Sequence, residues 1–120
     1  MLFLFSGVGE DDAPTRIGVG SHLDVPGLLA TRGEVGMSFI DLAEQLGSTA
    51  TRPVVHATGS VGDVYLCHPF LVHAAQAHHG KVSRFIAQPS LEPVGEVEID
   101  RPDYLYSPVE EAMRLGLGIE

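Results

Sequence analysis

The stretch GDVYLCHPFLVHAAQAHHGKVSRFIAQPSL, residues 62–91, carries the pattern on which the fold depends. It holds four of the six histidines, the only cysteine, and an arginine that opens a second apolar run. Residues 64–72 are predicted to form the longest strand of the chain. A turn at residues 79–81 then leads into a strand over residues 84–88, so the pattern predicts a hairpin-like pair that brackets the histidines.

The histidine spacing alone does not indicate a metal centre. His68, His73 and His78 lie five residues apart, a spacing that neither a helix nor a single strand places on one face. A zinc site made of these three is therefore not expected, and Cys67 is interpreted as a buried, inert thiol.

Arg84 carries a clearer chemical signal. It follows His73 by eleven residues across one turn, so the predicted pair of strands brings its guanidinium near the imidazole. A guanidinium in a mostly apolar strand requires an anion, and its fork suits a carboxylate. Because the flanking strand has no acidic residue, we expect a small-molecule carboxylate as the partner.

The rest of the chain predicts a mostly β domain with two helices outside the sheet. The helices are predicted after the N-caps Ser38 and Ser107, and the second helix is expected to end at Gly116. At 120 residues, the chain is expected to form a single domain over residues 1–120. The other strands are predicted over residues 2–8, 15–19 and 53–57.

Composition and charge restrict the class of function. A formal net charge of −9 and a pI near 4.9 disfavour nucleic acid and anionic membranes as partners. The opening MLFLF is too short for a membrane span and has no basic lead-in typical of a signal peptide. With a single cysteine, the expected compartment is a reducing cytoplasm.

One pattern resembles a known family. Gly62-Asp63-Val64, His68-Pro69 and His73, followed by Arg84, resemble the C-terminal motif of the phytanoyl-CoA dioxygenase family of Fe(II)- and 2-oxoglutarate-dependent oxygenases. Residues 15–22 are similar to that family's segment ending in Pro-Gly-Ser-His. The resemblance covers about residues 2–91. It implies a double-stranded β-helix, a jelly-roll or cupin-like fold, incomplete at its N-terminus.

The resemblance also implies roles for individual residues. His73 corresponds to the distal iron ligand, and Arg84 to the clamp on the far carboxylate of 2-oxoglutarate. Thr15 is expected to line the site, whereas His68 is expected either to have a structural role or to support the metal ligands without binding the metal itself. The implied cofactors are Fe(II) and 2-oxoglutarate, and the implied reaction is hydroxylation of a small organic substrate.

The family's His-x-Asp pair leaves alternatives open, because its expected position lies before Met1. His22-x-Asp24 has the same form and is either a metal-ligand pair or a cap and turn. The chain is then either part of a longer enzyme or a short form, with a homodimer completing the sheet. The alternatives are a non-catalytic β-barrel binding module or assembly partner that has lost iron, and a cupin-like zinc or manganese binder using His22, Asp24 and His73.

Overall fold

Two small antiparallel sheets form the centre of the protein. A computed structural model describes residues 1–119. One sheet has the strand order β4-β1-β6 and the other the order β3-β2-β5. The strands are β1 (Leu2–Leu4), β2 (Thr15–Gly18), β3 (Val54–Ala57), β4 (Val64–Tyr65), β5 (His73–Ala74) and β6 (Ile86–Ala87).

Three α-helices lie outside the sheets, one more than the sequence predicted. They are α1 (Val25–Ala30), α2 (Phe39–Gln45) and α3 (Pro108–Leu117). Short 3-10 helices occupy Ser21–Leu23, Gly33–Val35 and Leu46–Thr51. Within the part of the chain that the structure describes, no helix has the length and hydrophobicity that a bilayer crossing requires.

The core lies between the two sheets and follows the two-residue period of their strands. In β1 the side chains of Leu2 and Leu4 are buried while Phe3 is only half-buried, and in β2 Ile17 is buried while Arg16 is exposed. Burial of each such aliphatic side chain stabilises the fold by about 1.5–3 kcal/mol. The cluster is completed by Val8 and Ala57, with Tyr65, Leu71 and Ile86 packed against it.

The long strand predicted over residues 64–72 is wrong. Only Val64–Tyr65 is extended and paired, and the chain then turns, with the N–H of Leu71 donating to the carbonyl of His68 at 3.0 Å. The reason is Pro69, which has no N–H to give to a sheet and favours a turn.

The predicted hairpin-like pair of strands over residues 64–72 and 84–88 is also wrong, because β4 and β6 both pair with β1 rather than with each other. β5 pairs with β2, placing His73 opposite Ile17, whereas β6 pairs with β1 in the other sheet. The two strands separate because the connecting loop is held elsewhere: the carbonyl of Asp11 accepts the N–H groups of His79 and Gly80, at 2.8 and 2.7 Å.

The caps predicted for the two helices are confirmed. Ser38 accepts the N–H of Asp41 at the start of α2, and Ser107 forms a capping box with Glu110 at the start of α3. Gly116, however, does not end α3. The helix continues to Leu117 and ends at Gly118, whose φ of 71° is the left-handed conformation that favours glycine.

Glu110 ties α3 to the segment before it. Its buried carboxylate accepts the N–H of Glu98 at 2.9 Å, the N–H of Ser107 at 2.8 Å, and a bond from Arg101 at 3.0 Å. The amides of Glu98 and Ser107 stabilise the charged form most, and with Arg101 they lower the pKa of Glu110 to about 2.

The stability that Glu110 contributes should therefore depend on pH. Its folded pKa of about 2 lies below the ordinary value of 4.5. The contribution is complete above the ordinary value and is lost as the pH falls through the folded pKa. We expect Glu110→Gln to lower the melting temperature at neutral pH, and the deficit to shrink as the solution is acidified. Thermal unfolding across this range measures it. Glu111→Gln, on the exposed neighbour, is the control, and a pH-independent deficit contradicts the prediction.

A second prediction concerns the close approach of α3 to the Ser21–Leu23 turn. A Cβ on Gly116 would lie 2.5 Å from the carbonyl oxygen of Leu23. We expect Gly116→Ala to destabilise the protein by about 1–3 kcal/mol, although alanine is the better helix former. Gly27→Ala in α1 is the matched control, because its Cβ meets nothing within 4 Å. Denaturant unfolding should show a lower free energy of unfolding for Gly116→Ala and a higher one for Gly27→Ala. Equal changes in the two variants would contradict the predicted clash with Leu23.

Candidate functional site

His73 lies in β5 with its imidazole exposed and hydrogen-bonded through both nitrogens. Nδ1 is 2.9 Å from the carbonyl oxygen of Leu71, and Nε2 is 2.8 Å from the side-chain amide nitrogen of Gln88. A carbonyl can only accept, so Nδ1 carries the proton and Nε2 accepts from the amide. The hydrogen bonds therefore assign the neutral tautomer with its lone pair on Nε2.

This arrangement suits a histidine that binds a metal. Metal-binding histidines commonly donate their other ring N–H to a backbone carbonyl, which sets the ring orientation and the tautomer. Leu71 supplies that carbonyl for His73. The remaining nitrogen, Nε2, is occupied only by the amide of Gln88, which would have to move before a metal could bind.

A small cavity of about 110 Å³ joins His73 to Thr15. Both side chains lie on one face of the β3-β2-β5 sheet: His73 is opposite Ile17, and Thr15 is two residues from Ile17 in β2. The structure therefore brings together two of the three residues that the sequence singled out. The cavity is also lined by Met1, Leu2, Ile17, Cys67, His68, Pro69, Leu71 and Gln88.

Gln88 is the residue of this cavity that sequence reasoning missed. It is the last residue of the strand predicted over residues 84–88, and nothing in that position indicated a functional role. Only the pairing of β6 with β1, rather than with β5, shows how Gln88 meets the imidazole of His73 from the other sheet.

His68 links the turn before β5 to α3. Its Nδ1 accepts the N–H of Phe70 at 3.1 Å, so Nε2 carries the proton and donates to the carbonyl of Val109 in α3 at 3.3 Å. Both ring nitrogens are engaged in holding the turn against the helix. Cys67, expected to be buried, is only half-buried beside it.

Arg84 lies in a different cavity from His73. Its half-buried guanidinium donates to the carbonyl of Ala13, and no carboxylate within residues 1–119 forms an ion pair with it. The hairpin expected to bring Arg84 beside His73 does not form. The two cavities are nevertheless close along the chain, because Ala13 lines one and Thr15 lines the other. The lining of the second cavity includes Gln76, His78, Lys81 and Ser83.

The acidic turn of residues 9–12 holds the loop that leads to Arg84. Besides the two bonds to the Asp11 carbonyl, Asp12 approaches the loop so closely that a Cβ on Gly80 would lie 2.2 Å from Oδ1 of Asp12. A side chain at position 80 would have to displace the carboxylate of Asp12. The turn of residues 9–12 therefore helps to set the path of the loop before Arg84.

His22 and Asp24 do not join His73. Asp24 is engaged by Arg52 through two hydrogen bonds of 3.0 and 2.6 Å, and Arg52 holds the pKa of Asp24 below its usual range. The ring of His22 packs on that of His68, with centroids 5.0 Å apart. Its Nδ1 is buried without a hydrogen-bond partner, and desolvation followed by the charges of His68 and Arg52 lowers its pKa.

Of the three protein ligands that an iron site of this kind needs, the described residues supply one. Nowhere in residues 1–119 do three or more His, Cys, Asp or Glu side chains gather in a group that could hold a metal ion. Nε2 of His73 has the tautomer and the backbone support of a ligand, but a two-histidine, one-carboxylate triad needs two more donors. The residues described here do not form a complete metal site.

Comparison with known proteins agrees with the motif. The sequence model of the family described as phytanoyl-CoA dioxygenase matches residues 3–86, which is more than half of the chain. The matched region includes Thr15, His73 and Arg84 and ends before Gln88. No curated protein and no solved structure gives a significant match. The family is generally dependent on Fe(II) and 2-oxoglutarate, and the match suggests a cupin-like fold. The chain belongs to the phytanoyl-CoA dioxygenase family.

Proposed function

We propose that this chain carries part of the site of an Fe(II)- and 2-oxoglutarate-dependent dioxygenase that hydroxylates a small organic substrate. Family membership supports the proposal, and the observation that carries it is the tautomer of His73, a residue that lines the same cavity as Thr15 and whose Nε2 is the ring nitrogen without a proton. The corresponding fold is a double-stranded β-helix, of which the two sheets are the paired layers. A reducing cytoplasm suits the free thiol of Cys67.

Each residue has one role in this proposal. His73 supplies a single metal ligand, with the Leu71 carbonyl setting its orientation, and Gln88 occupies Nε2 until a metal takes its place. Arg84 anchors a carboxylate of 2-oxoglutarate, and Thr15 lines the space between them. Bound iron would supply the oxygen-dependent oxidation. Residues 1–119 hold no group of donors that completes the triad, so the proposal covers one protein ligand of the three.

One observation favours a second candidate, a carboxylate-binding module without iron. The only His-x-Asp of the chain is unsuitable as a ligand pair, because Asp24 is engaged by Arg52. Arg84 nevertheless has no acidic partner in the described residues. A protein that kept the arginine and lost the metal would show this combination. The third reading, a zinc or manganese site of His22, Asp24 and His73, is not supported by this geometry.

Calorimetric titration of 2-oxoglutarate tests the proposal. We expect binding to the wild type and a loss of about tenfold or more in affinity for Arg84→Ala, because a charge-assisted pair to a carboxylate is removed. Adding Mn(II), a surrogate that does not undergo the oxidation, should strengthen 2-oxoglutarate binding in the wild type, because a 2-oxo acid brings two oxygen donors of its own to a metal that Nε2 of His73 also binds. The same addition should have no effect in His73→Ala, which lacks the ligand.

Matched controls are available on the surface. Arg32 and His79 are exposed and lie outside both cavities, so Arg32→Ala and His79→Ala should bind like the wild type. Binding that requires Arg84 but ignores both Mn(II) and His73→Ala selects the iron-free module. Absence of 2-oxoglutarate binding, or equal binding by Arg84→Ala, rules out both candidates.

A further inference from the structure

A third cavity, an apolar cleft, adjoins the Thr15 cavity and shares Leu71 and His73 with it. Its volume is about 250 Å³, near the small end of ligand pockets, which span roughly 300–1,000 Å³. One wall comes from α2 and the residue after it, and the other comes from the turn that precedes β5. The residues that matter here are Phe39, Leu42 and Leu46 on the first wall, and Phe70, Leu71 and Val72 on the second.

The cleft contains no charged side chain. Of the residues among 1–119 that line it, all except His73 are apolar. Phe39, at its rim, is 86% exposed, although it begins a helix whose Leu42 and Leu46 are half-buried. Covering such a ring with apolar atoms is favourable by about 25 cal/mol per Å² removed from water. The rim is therefore suited to an apolar group, and no cation is present to receive an anion.

His73 lines two cavities. It lines the cleft and also the small cavity that it shares with Thr15 and Gln88. A molecule seated between Phe39 and Leu71 would therefore end against the imidazole that we assign as a metal ligand. The position follows from the paired strands, since the turn before β5 delivers Leu71, Val72 and His73 in succession.

Electrostatics restricts the occupant further. The chain carries a formal net charge of −9. Arg84 and Lys81 line the cavity described above for Arg84 and not this cleft. An acyl-coenzyme A carries several phosphate charges, and an acidic protein with an uncharged cleft would repel rather than attract them.

We infer that this cleft binds the uncharged, apolar part of the substrate, and that the substrate is not presented as a coenzyme A thioester. The inference rests on the proposed function for the role of His73 in the reaction. The binding itself depends only on the cleft and can be measured without metal or 2-oxoglutarate.

Three ligands with the same chain but different charge test the inference: 1-octanol, octanoate and octanoyl-coenzyme A. Binding to the metal-free protein is followed by NMR through the methyl groups of Leu42 and Leu71. We expect 1-octanol to bind about tenfold or more tightly than octanoyl-coenzyme A, with octanoate between them, because each added negative charge meets repulsion without a compensating cation.

Phe39→Asp and Val35→Asp form a matched pair of variants. Both introduce one carboxylate at an exposed apolar position, but Val35, 94% exposed, lies outside the cleft. We expect Phe39→Asp to weaken 1-octanol binding about tenfold and Val35→Asp to leave it within about twofold. Tighter binding of octanoyl-coenzyme A, or equal effects of the two variants, overturns the inference.

Two further outcomes are informative. If a second copy of the chain covers the cleft, sedimentation will show a dimer that Phe39→Asp dissociates, and 1-octanol will not bind the wild type; that result also overturns the inference. The proposed function fails separately, through loss of 2-oxoglutarate binding in the titration above. Binding of 1-octanol without binding of 2-oxoglutarate would leave the cleft as a ligand site and reject the dioxygenase.

Discussion

The antiparallel pairing of β2 with β5 sets the position of the candidate site. β5 is only two residues long, yet the residue before it is held through both backbone groups: the carbonyl of Val72 accepts from Gly18, at 3.0 Å, and its N–H donates to the hydroxyl of Ser21, at 2.9 Å. Ser21 is fully buried. Because a slip of one residue would turn every side chain of β5 to the other face, these two bonds decide that His73 faces the Thr15 cavity.

Arg84 depends on a separate constraint, the docking of its loop on the acidic turn. The two strands flanking this loop belong to different sheets, so no ladder of hydrogen bonds sets its path. Instead, the two hydrogen bonds to the Asp11 carbonyl and the close approach of Asp12 to Gly80 set the path of the loop. His73 and Arg84 are therefore positioned by independent contacts, and a change in one need not displace the other.

The sequence predicted the family, the caps of α2 and α3, and the residues of the motif, because each depends on local or short-range chemistry. Ser107 and Glu110 interact within one helical turn, and the motif is recognised by residue type and spacing. The long strand and the hairpin failed for reasons that are not local. Pro69 interrupts the first, and the partner of residues 79–80, which separates β5 from β6, lies almost seventy residues earlier in the chain. Gln88 was missed for the same reason.

His22-x-Asp24 illustrates why a pattern needs its backbone. Residues two apart point the same way only in an extended strand, and here Ser21–Leu23 is a 3-10 turn, so the two side chains diverge. Asp24 forms an ion pair with Arg52, which follows the 3-10 helix Leu46–Thr51. The ring of His22 packs on that of His68. Both interactions tie Ser21–Leu23 to its neighbours, and Ser21 in turn holds Val72. The pair thus supports the site through the backbone next to His73, so its replacement should disturb the orientation of that imidazole without removing a ligand.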